Sequence, residues 1–346
     1  MRPAFSFLRR PRASVAALLV GTALGAVPGV APAVAAETLT LYAAQHEQLV
    51  DQLIKDFTAR TGIAVKSRFG EAPEIASQIL REGSRSPADL FFTENSPELV
   101  LLDERGLLAP VDKDTLAAVP AKYSAPDGNW VGVLARENVL AYDPKLIAED
   151  KLPPSLLDLA KPEWQNKVAI APADADFLPL AEAIARLKDR ATAVAWLKAM
   201  KRNAKIYDDD EAVVAAVDRG AVPVGIINNY YWARLHQEKG DAGTTAKIHH
   251  FADNDVGALV NVSGAAVLKS SKHADAAQKF LAFMTSKTEQ AKIAAGSVDF
   301  EYPLSPDTAA NPVLKPFDQL HPPAITIREL GDDQDAAKML REAGLL

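Results

Sequence analysis

The 346-residue chain contains no cysteine, and its basic residues are outnumbered by its acidic ones. Without cysteine, disulfides, thiolate zinc sites, iron–sulfur clusters and cysteine nucleophiles are excluded. With 38 Lys and Arg against 45 Asp and Glu, the formal charge of −7 argues against a nucleic-acid-binding protein. The composition, 48% hydrophobic and 24% charged, is typical of a soluble globular protein, and the length suggests about two domains.

Several motifs of enzymes are also missing. No H-E-x-x-H pair, G-x-S-x-G elbow, Walker loop or G-x-G-x-x-G run is present, which disfavours zinc hydrolases, serine hydrolases, nucleotidases and dehydrogenases. Of the six histidines, only His249 and His250 are adjacent. Their polar surroundings indicate a solvated surface pair, with a metal role as the weaker alternative.

Residues 1–36 have the features of a secretory signal peptide. Four arginines and no acid precede an apolar stretch, and small residues lead to the predicted cleavage point before Glu37. The alternative, a transmembrane anchor, needs about 20 apolar residues, more than this stretch provides. A lipid anchor would need a cysteine. Removing four arginines and no acid takes the formal charge from −7 to −11, so we expect an acidic, exported protein without a stable membrane anchor.

Beyond residue 37, strand and helix patterns alternate. Apolar runs over 38–42, 63–69 and 90–92 predict strands, and apolar residues at helical spacing follow each of them. Ser96-Pro97 has the residue types that cap the start of a helix. This β-α-β-α-β-α order predicts an open parallel sheet covered by helices on both faces, with ligands bound beyond the carboxyl ends of its strands.

Two long apolar runs, over 130–142 and 257–267, have the length needed to cross between two lobes. We therefore predict an α/β fold of two lobes joined by two crossing strands, with a ligand cleft between them and each lobe discontinuous in sequence. The first lobe is expected to comprise 37–136 plus 260–311, and the second 137–259 plus 312–346.

Four side chains fall at the carboxyl ends of predicted strands, where such a fold binds ligands. His46 follows the first strand, Glu94 ends the third, and Tyr230 and Tyr231 end a strand of the second lobe. Position alone leaves two alternatives open. The histidine and the glutamate would also suit helix caps, and the tyrosines would also suit an aromatic core.

The chemistry of these donors favours a small, hard and highly charged cation. A phenol titrates near pH 10, so binding as phenolate at neutral pH requires a strong Lewis acid. Zinc and magnesium more usually take imidazole or carboxylate with water. One carboxylate and two phenolates balance Fe³⁺ and leave the imidazole neutral. The sequence therefore predicts a ferric site on His46, Glu94, Tyr230 and Tyr231.

The sequence also resembles the bacterial periplasmic ferric-ion-binding proteins, the substrate-binding subunits of iron(III) ABC importers. The similarity covers nearly the whole chain after residue 36. The runs that carry it are Tyr-x-x-Gln-His at 42–46, 82–89 leading to Glu94, 227–232, 257–259, 263–271 and Glu301-Tyr302-Pro303-Leu304.

This resemblance implies a type II periplasmic binding protein with transferrin-like lobes that closes on Fe³⁺ by hinge motion. The family's iron ligands fall on the same four residues, with His46 and Glu94 on one lobe and Tyr230 and Tyr231 on the other. It also implies delivery of iron to a membrane permease driven by an ATPase, and no catalysis. We expect a periplasmic monomer.

One departure concerns the anion that similar proteins bind beside the iron. Their Ser-Gly-Ala turn aligns with Asp174-Ala175-Asp176 and one asparagine position aligns with Asp210, so that only Asn228 remains. Carboxylates there would repel phosphate, because like charges about 4 Å apart cost roughly 4 kcal/mol at an effective dielectric of 20. We therefore expect phosphate to be disfavoured, and water, hydroxide, another small anion or one of these carboxylates to complete the coordination.

Other residues near the predicted cleft carry weaker signals. Arg136, on the first crossing segment, is expected either to orient an anion or Glu94 or to lie on the surface. Trp130 and Trp232 would line the cleft or pack in the core. The acidic run 208–211 suits a solvated loop or a helix cap.

Two other functions use some of the same features. A binder of a small organic cation such as a polyamine also needs carboxylates and aromatics, but it does not need adjacent tyrosines after two asparagines. A metal-assisted hydrolase needs a general base, and none is evident. Capture and delivery of iron is therefore the favoured hypothesis.

Overall fold

The computed structural model describes residues 37–346, and the predicted signal peptide lies outside them. Strands and helices alternate through this range, as the sequence predicts. The strands are β1 (Thr38–Ala44), β2 (Ala64–Phe69), β3 (Leu90–Thr93), β4 (Val131–Tyr142), β5 (Val168–Ile170), β6 (Ala204–Ile206), β7 (Val224–Asn228), β8 (Lys247–His249), β9 (Val260–Val267) and β10 (Tyr302–Pro303).

The helices fill the intervals between these strands and continue into the C-terminal segment. They are α1 (Glu47–Thr61), α2 (Ala72–Glu82), α3 (Pro97–Glu104), α4 (Lys113–Ala117), α5 (Phe177–Leu187), α6 (Arg190–Asn203), α7 (Asp210–Asp218), α8 (Asn229–Gly243), α9 (Ala274–Met284), α10 (Lys287–Ala295), α11 (Ile327–Leu330) and α12 (Gln334–Ala343). Within 37–346, no helix has the length and apolar character needed to cross a bilayer.

Helix α1 illustrates how the sequence pattern fixes these elements. Its apolar residues at helical spacing, Leu49, Val50, Leu53 and Phe57, are all buried. The helix ends at Gly62, whose φ of 74° lies in the left-handed region and whose N–H donates to the carbonyl of Thr58. The chain then turns directly into β2.

The sheet is mixed rather than wholly parallel. Its strand order is β2-β1-β3-β9-β4-β7-β5-β6, with β8 and β10 also paired to β4. The predicted parallel pairs are present at both ends, where β1 pairs with β2 and β3, and β5 pairs with β6 and β7. Between them, β9 and β4 run antiparallel to their neighbours. These are the two predicted crossing strands.

Strand β4 belongs to both halves of the molecule. Its first part pairs with β9 and β10, and its second part pairs with β7 and β8. One apolar core forms around β1, β3, β9 and the first part of β4. A second forms under α5, α6 and α12, and a smaller one packs against α7 on the opposite face of β7. Each half therefore has its own hydrophobic core.

The C-terminal segment makes a third crossing between the halves, for which the predicted lobe bounds gave the position 311–312. Leu314, Leu320 and Ile327 pack in the core of the first half, whereas Leu330 and Leu340 pack in that of the second. The crossing thus lies later than the predicted bound, around the short helix α11, since Ile325 already packs against the second core. It ties the two halves together outside the sheet.

Ser96 and Pro97 occupy the predicted positions at the start of α3, but the expected capping hydrogen bond of Ser96 is not formed. Its side chain makes no hydrogen bond to the first turn of the helix. It donates instead to Oδ1 of Asn261 on β9 at 2.8 Å. The residue therefore joins the loop after β3 to a crossing strand.

Candidate metal centre

The structure brings all four predicted ligand residues together. His46 lies between β1 and α1, Glu94 follows β3, and Tyr230 and Tyr231 are in the first turn of α8, directly after β7. Nε2 of His46 is 3.2 Å from Oε2 of Glu94. The ring centroids of His46 and Tyr230 are 4.9 Å apart, and those of the two tyrosines 4.2 Å apart. Predicted donors from both halves of the molecule thus lie side by side.

The histidine is held by a carboxylate that sequence reasoning missed. Nδ1 of His46 donates to Oδ2 of Asp299 at 3.0 Å. Burial alone would lower the pKa of His46, but the hydrogen bond to Asp299 and the charges of Glu94 and Asp299 raise it. A carboxylate on one ring nitrogen directs the other nitrogen toward Glu94. Nothing in the local sequence of Asp299 indicated this role.

Arg136 is buried at the centre of the polar groups that join the two halves, so its predicted surface alternative is wrong. Its side chain is 1% exposed. Nη1 donates to Oε1 of Glu301 at 2.9 Å, and Nη2 lies 3.2 Å from Oδ1 of Asp176 and also donates to Asn95. Two carboxylates, one from each half, thereby balance its charge and raise its pKa against the effect of burial.

Further buried amides and hydroxyls extend this set of contacts. Gln45, which precedes His46, donates to Oγ of Ser263 and to Oε2 of Glu301, both at 2.9 Å. Asn95 accepts from Asn261 at 2.8 Å and donates to Asp176 at 3.1 Å. Hydrogen-bonded polar groups in a buried site fix its geometry, since each would be costly to leave unpaired.

Among the described residues, His46, Asp299 and Glu301 each offer a ligand atom within 4.8 Å of the others. Both carboxylates already have partners, however. Asp299 accepts from His46 and from the N–H of Glu301 at 2.8 Å, and Glu301 is paired with Arg136. We interpret these carboxylates as supports for His46 and Arg136 rather than as ligands.

The phenol of Tyr230 is fully buried and donates to Oδ2 of Asp176 at 2.8 Å. Burial raises the pKa of Tyr230 and Tyr231 well above 10, and the nearby carboxylates Asp176 and Glu94 raise it further. Burial and the charge of Asp176 also raise the pKa of Glu94 to about 8. A strong positive charge is therefore needed to ionise these three donors together.

The carboxylates of Asp174 and Asp210 accept hydrogen bonds from backbone N–H groups at the starts of three helices. The two carboxylate oxygens of Asp174 accept from the N–H of Asp176 at 3.0 Å and from that of Asp210 at 3.1 Å. Oδ2 of Asp210 accepts from the N–H of Asn228 at 3.2 Å. These N–H groups precede or begin α5, α7 and α8, positions at which an external anion could otherwise bind.

The three aspartates have different protonation preferences. Burial followed by repulsion from neighbouring carboxylates raises the pKa of Asp174 to about 6 and that of Asp210 well above 3.8. Burial acts in the same direction on Asp176, but Arg136 and hydrogen bonds from Asn228, Tyr230 and Asn95 outweigh it and lower its pKa. Asp176 is therefore the carboxylate that stays ionised beside the phenol.

Residues 85–323 match the family of bacterial extracellular solute-binding proteins. The chain belongs to that family. It is 40% identical over 318 residues to the Fe(3+)-binding periplasmic protein of Serratia marcescens, a match covering 92% of this chain and 94% of that protein. It is 36% identical over 331 residues to the major ferric iron-binding protein of Neisseria meningitidis serogroup B, covering 95% of this chain and 98% of that protein.

Comparison with solved structures also finds ferric-binding proteins. The iron-bound HitA structure from Pseudomonas aeruginosa matches this solute-binding protein with a TM-score of 0.85 and 43% identity, over 89% of this chain and 99% of that one. The ferric binding protein from Campylobacter jejuni matches with a TM-score of 0.81 and 26% identity, over 88% and 99%. These matches confirm the predicted two-lobed α/β fold. Together with the family match, they also confirm that the chain is a solute-binding protein of a transport system and not an enzyme.

The solute-binding protein has a cavity of about 410 Å³ beside the two donors of its first half. It is lined by 43–47, 69–72, Glu94 and Ala175. The side chains of His46 and Glu94 retain 13% and 17% of their exposure. These two donors can therefore be reached from the cavity while Tyr230 is covered.

The remaining candidate residues have other partners. The predicted solvated pair His249 and His250 is wrong, because both side chains are partly buried and bonded, to the carbonyl of Pro153 at 3.2 Å and to Glu137 at 2.7 Å. Trp130 is packed in the first core, and Trp232 donates to the carbonyl of Ala246 at 2.8 Å. In the acidic run 208–211, Asp209 caps α7.

Proposed function

We propose that this solute-binding protein captures Fe³⁺ in the periplasm and delivers it to the membrane permease and ATPase of an ABC importer. The ligands would be His46, Glu94, Tyr230 and Tyr231. The observation that carries the proposal is the meeting of these four donors, two from each half of the molecule. The names of the Serratia and Neisseria relatives support iron as the solute.

The donor set accounts for the choice of Fe³⁺. One carboxylate and two phenolates balance three positive charges, and an ion of that charge can displace the phenol protons that burial otherwise retains. His46 would bind as neutral imidazole through Nε2, with its Nδ1–H held by Asp299. Divalent ions would leave the site with an uncompensated negative charge.

Asp176 would take the place of an external anion beside the iron. It is ionised, it contacts the phenol of Tyr230, and Arg136 holds its other oxygen. Asp174 and Asp210 meanwhile occupy the backbone N–H groups that would bind phosphate. Phosphate would therefore be disfavoured, and Asp176 or a water held by it would complete the coordination.

Capture would proceed from the tyrosine lobe. Two phenolates supply most of the affinity, and hinge closure then adds His46 and Glu94 and excludes water. The ion drives closure because it binds the closed arrangement more tightly than the open one. Acid and reduction would favour release, since protons compete for phenolate and imidazole, and Fe²⁺ is a poorer partner for phenolate.

Export is part of the same proposal. Residues 1–36 would be removed as a signal peptide, leaving a periplasmic monomer without a membrane anchor. The hinge would lie where β4 and β9 pass between the halves, near 136–137 and 259–260. The first lobe would comprise 37–136 plus 260–311, and the second 137–259 plus 312–346, with Leu314, Leu320 and Ile327 of that last segment packed against the first lobe.

Substitution of either tyrosine tests the proposal. Tyr230→Phe and Tyr231→Phe are each expected to weaken Fe³⁺ binding on the order of 100-fold or more, about 2.7 kcal/mol. Each should also reduce the visible absorption of the ferric phenolate, which titration with ferric citrate would record. Tyr142→Phe, which alters a buried tyrosine of the second core, is the matched control and should change neither. Unchanged colour and affinity in both ligand variants would contradict the assignment, and tight spermidine binding would favour the polyamine alternative.

A further inference from the structure

Asn229, the first residue of α8, has a side chain that touches both halves of the molecule. It lies between Asn228 and Tyr230 and is 0% exposed. Its Oδ1 accepts from the N–H of Glu137 on β4 at 2.8 Å. Its Nδ2 donates to the carbonyl of Phe300 at 3.2 Å. The oxygen and the nitrogen of one side-chain amide are therefore both hydrogen-bonded, the oxygen to a crossing strand and the nitrogen to the loop before β10.

The two partners of Asn229 stand next to the residues that hold the site. Phe300 lies between Asp299, which binds Nδ1 of His46, and Glu301, which binds Arg136. Glu137 directly follows Arg136 on β4. Asn229 is therefore adjacent in sequence to Tyr230. Its hydrogen-bond partner Phe300 is adjacent in sequence to Asp299, the carboxylate that orients the histidine.

We propose that Asn229 is a positioning residue that couples the tyrosine donors to the histidine donor. The bond to Phe300 would fix the loop 299–301 against the start of α8, so that closure places Nε2 of His46 at the metal. The proposal rests on the proposed function, because it assumes that His46 and Tyr230 bind the same ion. Both hydrogen bonds of the Asn229 side chain go to backbone groups, so it would act through its neighbours and not as a ligand.

The chemistry of the side chain fits this role. Its partners are an N–H and a carbonyl, so the position needs one acceptor and one donor on the same short, planar group. Aspartate keeps the acceptor but turns a second oxygen toward the Phe300 carbonyl. Serine is too short to reach both. Because Asn229 is fully buried, an unpaired carbonyl there costs more than it would at the surface.

The test compares Asn229→Asp and Asn229→Ser in the wild-type chain and in a His46→Ala background. The full mature protein is loaded with Fe³⁺, and transfer of the iron to a competing chelator is followed with the visible phenolate band. In the wild-type chain, each variant should keep the band but lose iron on the order of tenfold faster, about 1.4 kcal/mol. In the His46→Ala background, the same substitutions should change the release rate by less than about twofold, because the contact acts through His46.

Asn203 provides a matched control. It is also a buried asparagine, and its Nδ2 donates to the carbonyls of Leu159 and Lys161 at 2.8 and 3.0 Å, away from the donors of the site. Asn203→Asp should lower the thermal midpoint as Asn229→Asp does and leave the rate of iron release unchanged. An effect that comes only from weaker folding would appear in both proteins.

Each outcome decides the proposal. Equal acceleration by Asn229→Asp with and without His46, or no acceleration in either, would overturn it. If the aspartate variant does not fold, the serine variant in the two backgrounds decides alone. Absence of a phenolate band in the wild-type protein, or unchanged iron release in His46→Ala, would instead show that the ligand assignment is wrong, which distinguishes failure of the proposed function.

Discussion

At the scale of single residues, the pKa of a buried aspartate is raised or lowered according to its neighbours. Asp176 and Asp210 are both buried, yet burial and like charges raise the pKa of Asp210 whereas Arg136 and three hydrogen bonds lower that of Asp176. Burial also keeps the phenol of Tyr230 protonated beside that carboxylate. The fixed negative charge therefore sits on Asp176, within hydrogen-bond distance of a predicted ligand.

Asp176→Asn is expected to make iron binding depend on an added anion. The wild-type protein should bind Fe³⁺ equally well with and without phosphate, because its own carboxylate supplies the charge. The variant should lose on the order of tenfold in affinity in phosphate-free buffer and recover part of it when phosphate is added. Competition titrations in the two buffers measure both effects.

The matched control for this substitution is Asp89→Asn. Asp89 is also buried, but it accepts hydrogen bonds from Thr40 and Ser271, far from the donors of the site. Its variant should affect stability without altering the response to phosphate. A wild-type protein that requires phosphate for tight binding would contradict the role given to Asp176.

At the scale of elements, hydrophobic periodicity predicts the strands and helices whose formation depends on local sequence. The strand at 38–42 and the two crossing strands are present near their expected limits. Strand ends also gave the positions of His46 and Glu94. The contacts of Asp299 and Glu301, and the role proposed for Asn229, were not predicted, because each involves a residue distant in sequence. Tertiary placement likewise overrides the capping pattern at Ser96.

One link between elements of the second half has a defined dependence on pH. Asp218, at the end of α7, accepts from Lys239 at 2.6 Å and from the N–H groups of Thr245 and Ala246 at 2.7 and 3.0 Å. Burial would raise the pKa of Asp218, but these hydrogen bonds outweigh it and lower the pKa below 3.8. The ionised carboxylate therefore stabilises the fold at neutral pH.

Asp218→Asn is expected to lower the free energy of unfolding by about 1 kcal/mol at pH 7. Because the folded-state pKa is lowered, the contribution is complete above pH 3.8 and is lost as the pH falls through the folded value. Urea unfolding of both proteins between pH 7 and pH 3 should show the difference shrinking toward acid. Asp150→Asn, at an exposed carboxylate, should show no such difference, and a gap that widens toward acid would contradict the linkage.

At the scale of the whole molecule, the two halves are joined by β4, β9 and the segment through α11. Hydrogen bonds cross between them at Asn95–Asp176 and Asn229–Phe300. Bending at the proposed hinge, near 136–137 and 259–260, would break these contacts. The arrangement is consistent with the proposed capture of the solute by closure.

Iron loading should therefore make the protein more compact. Small-angle X-ray scattering of the mature chain should give a smaller radius of gyration with Fe³⁺ than without it. The double variant Tyr230→Phe/Tyr231→Phe should show no change on addition of iron, because the ion then lacks the donors that start capture. An identical radius for the loaded and iron-free wild-type protein would argue against closure driven by the ion.

The central claim, that two neighbouring phenolates bind Fe³⁺, is tested most directly by resonance Raman spectroscopy of the iron-loaded protein with excitation in its visible band. We predict enhanced ring modes of metal-bound tyrosinate, weakened in Tyr230→Phe and Tyr231→Phe and absent in the double variant. Stoichiometric iron binding without tyrosinate modes, or modes that survive the double substitution, would contradict the account.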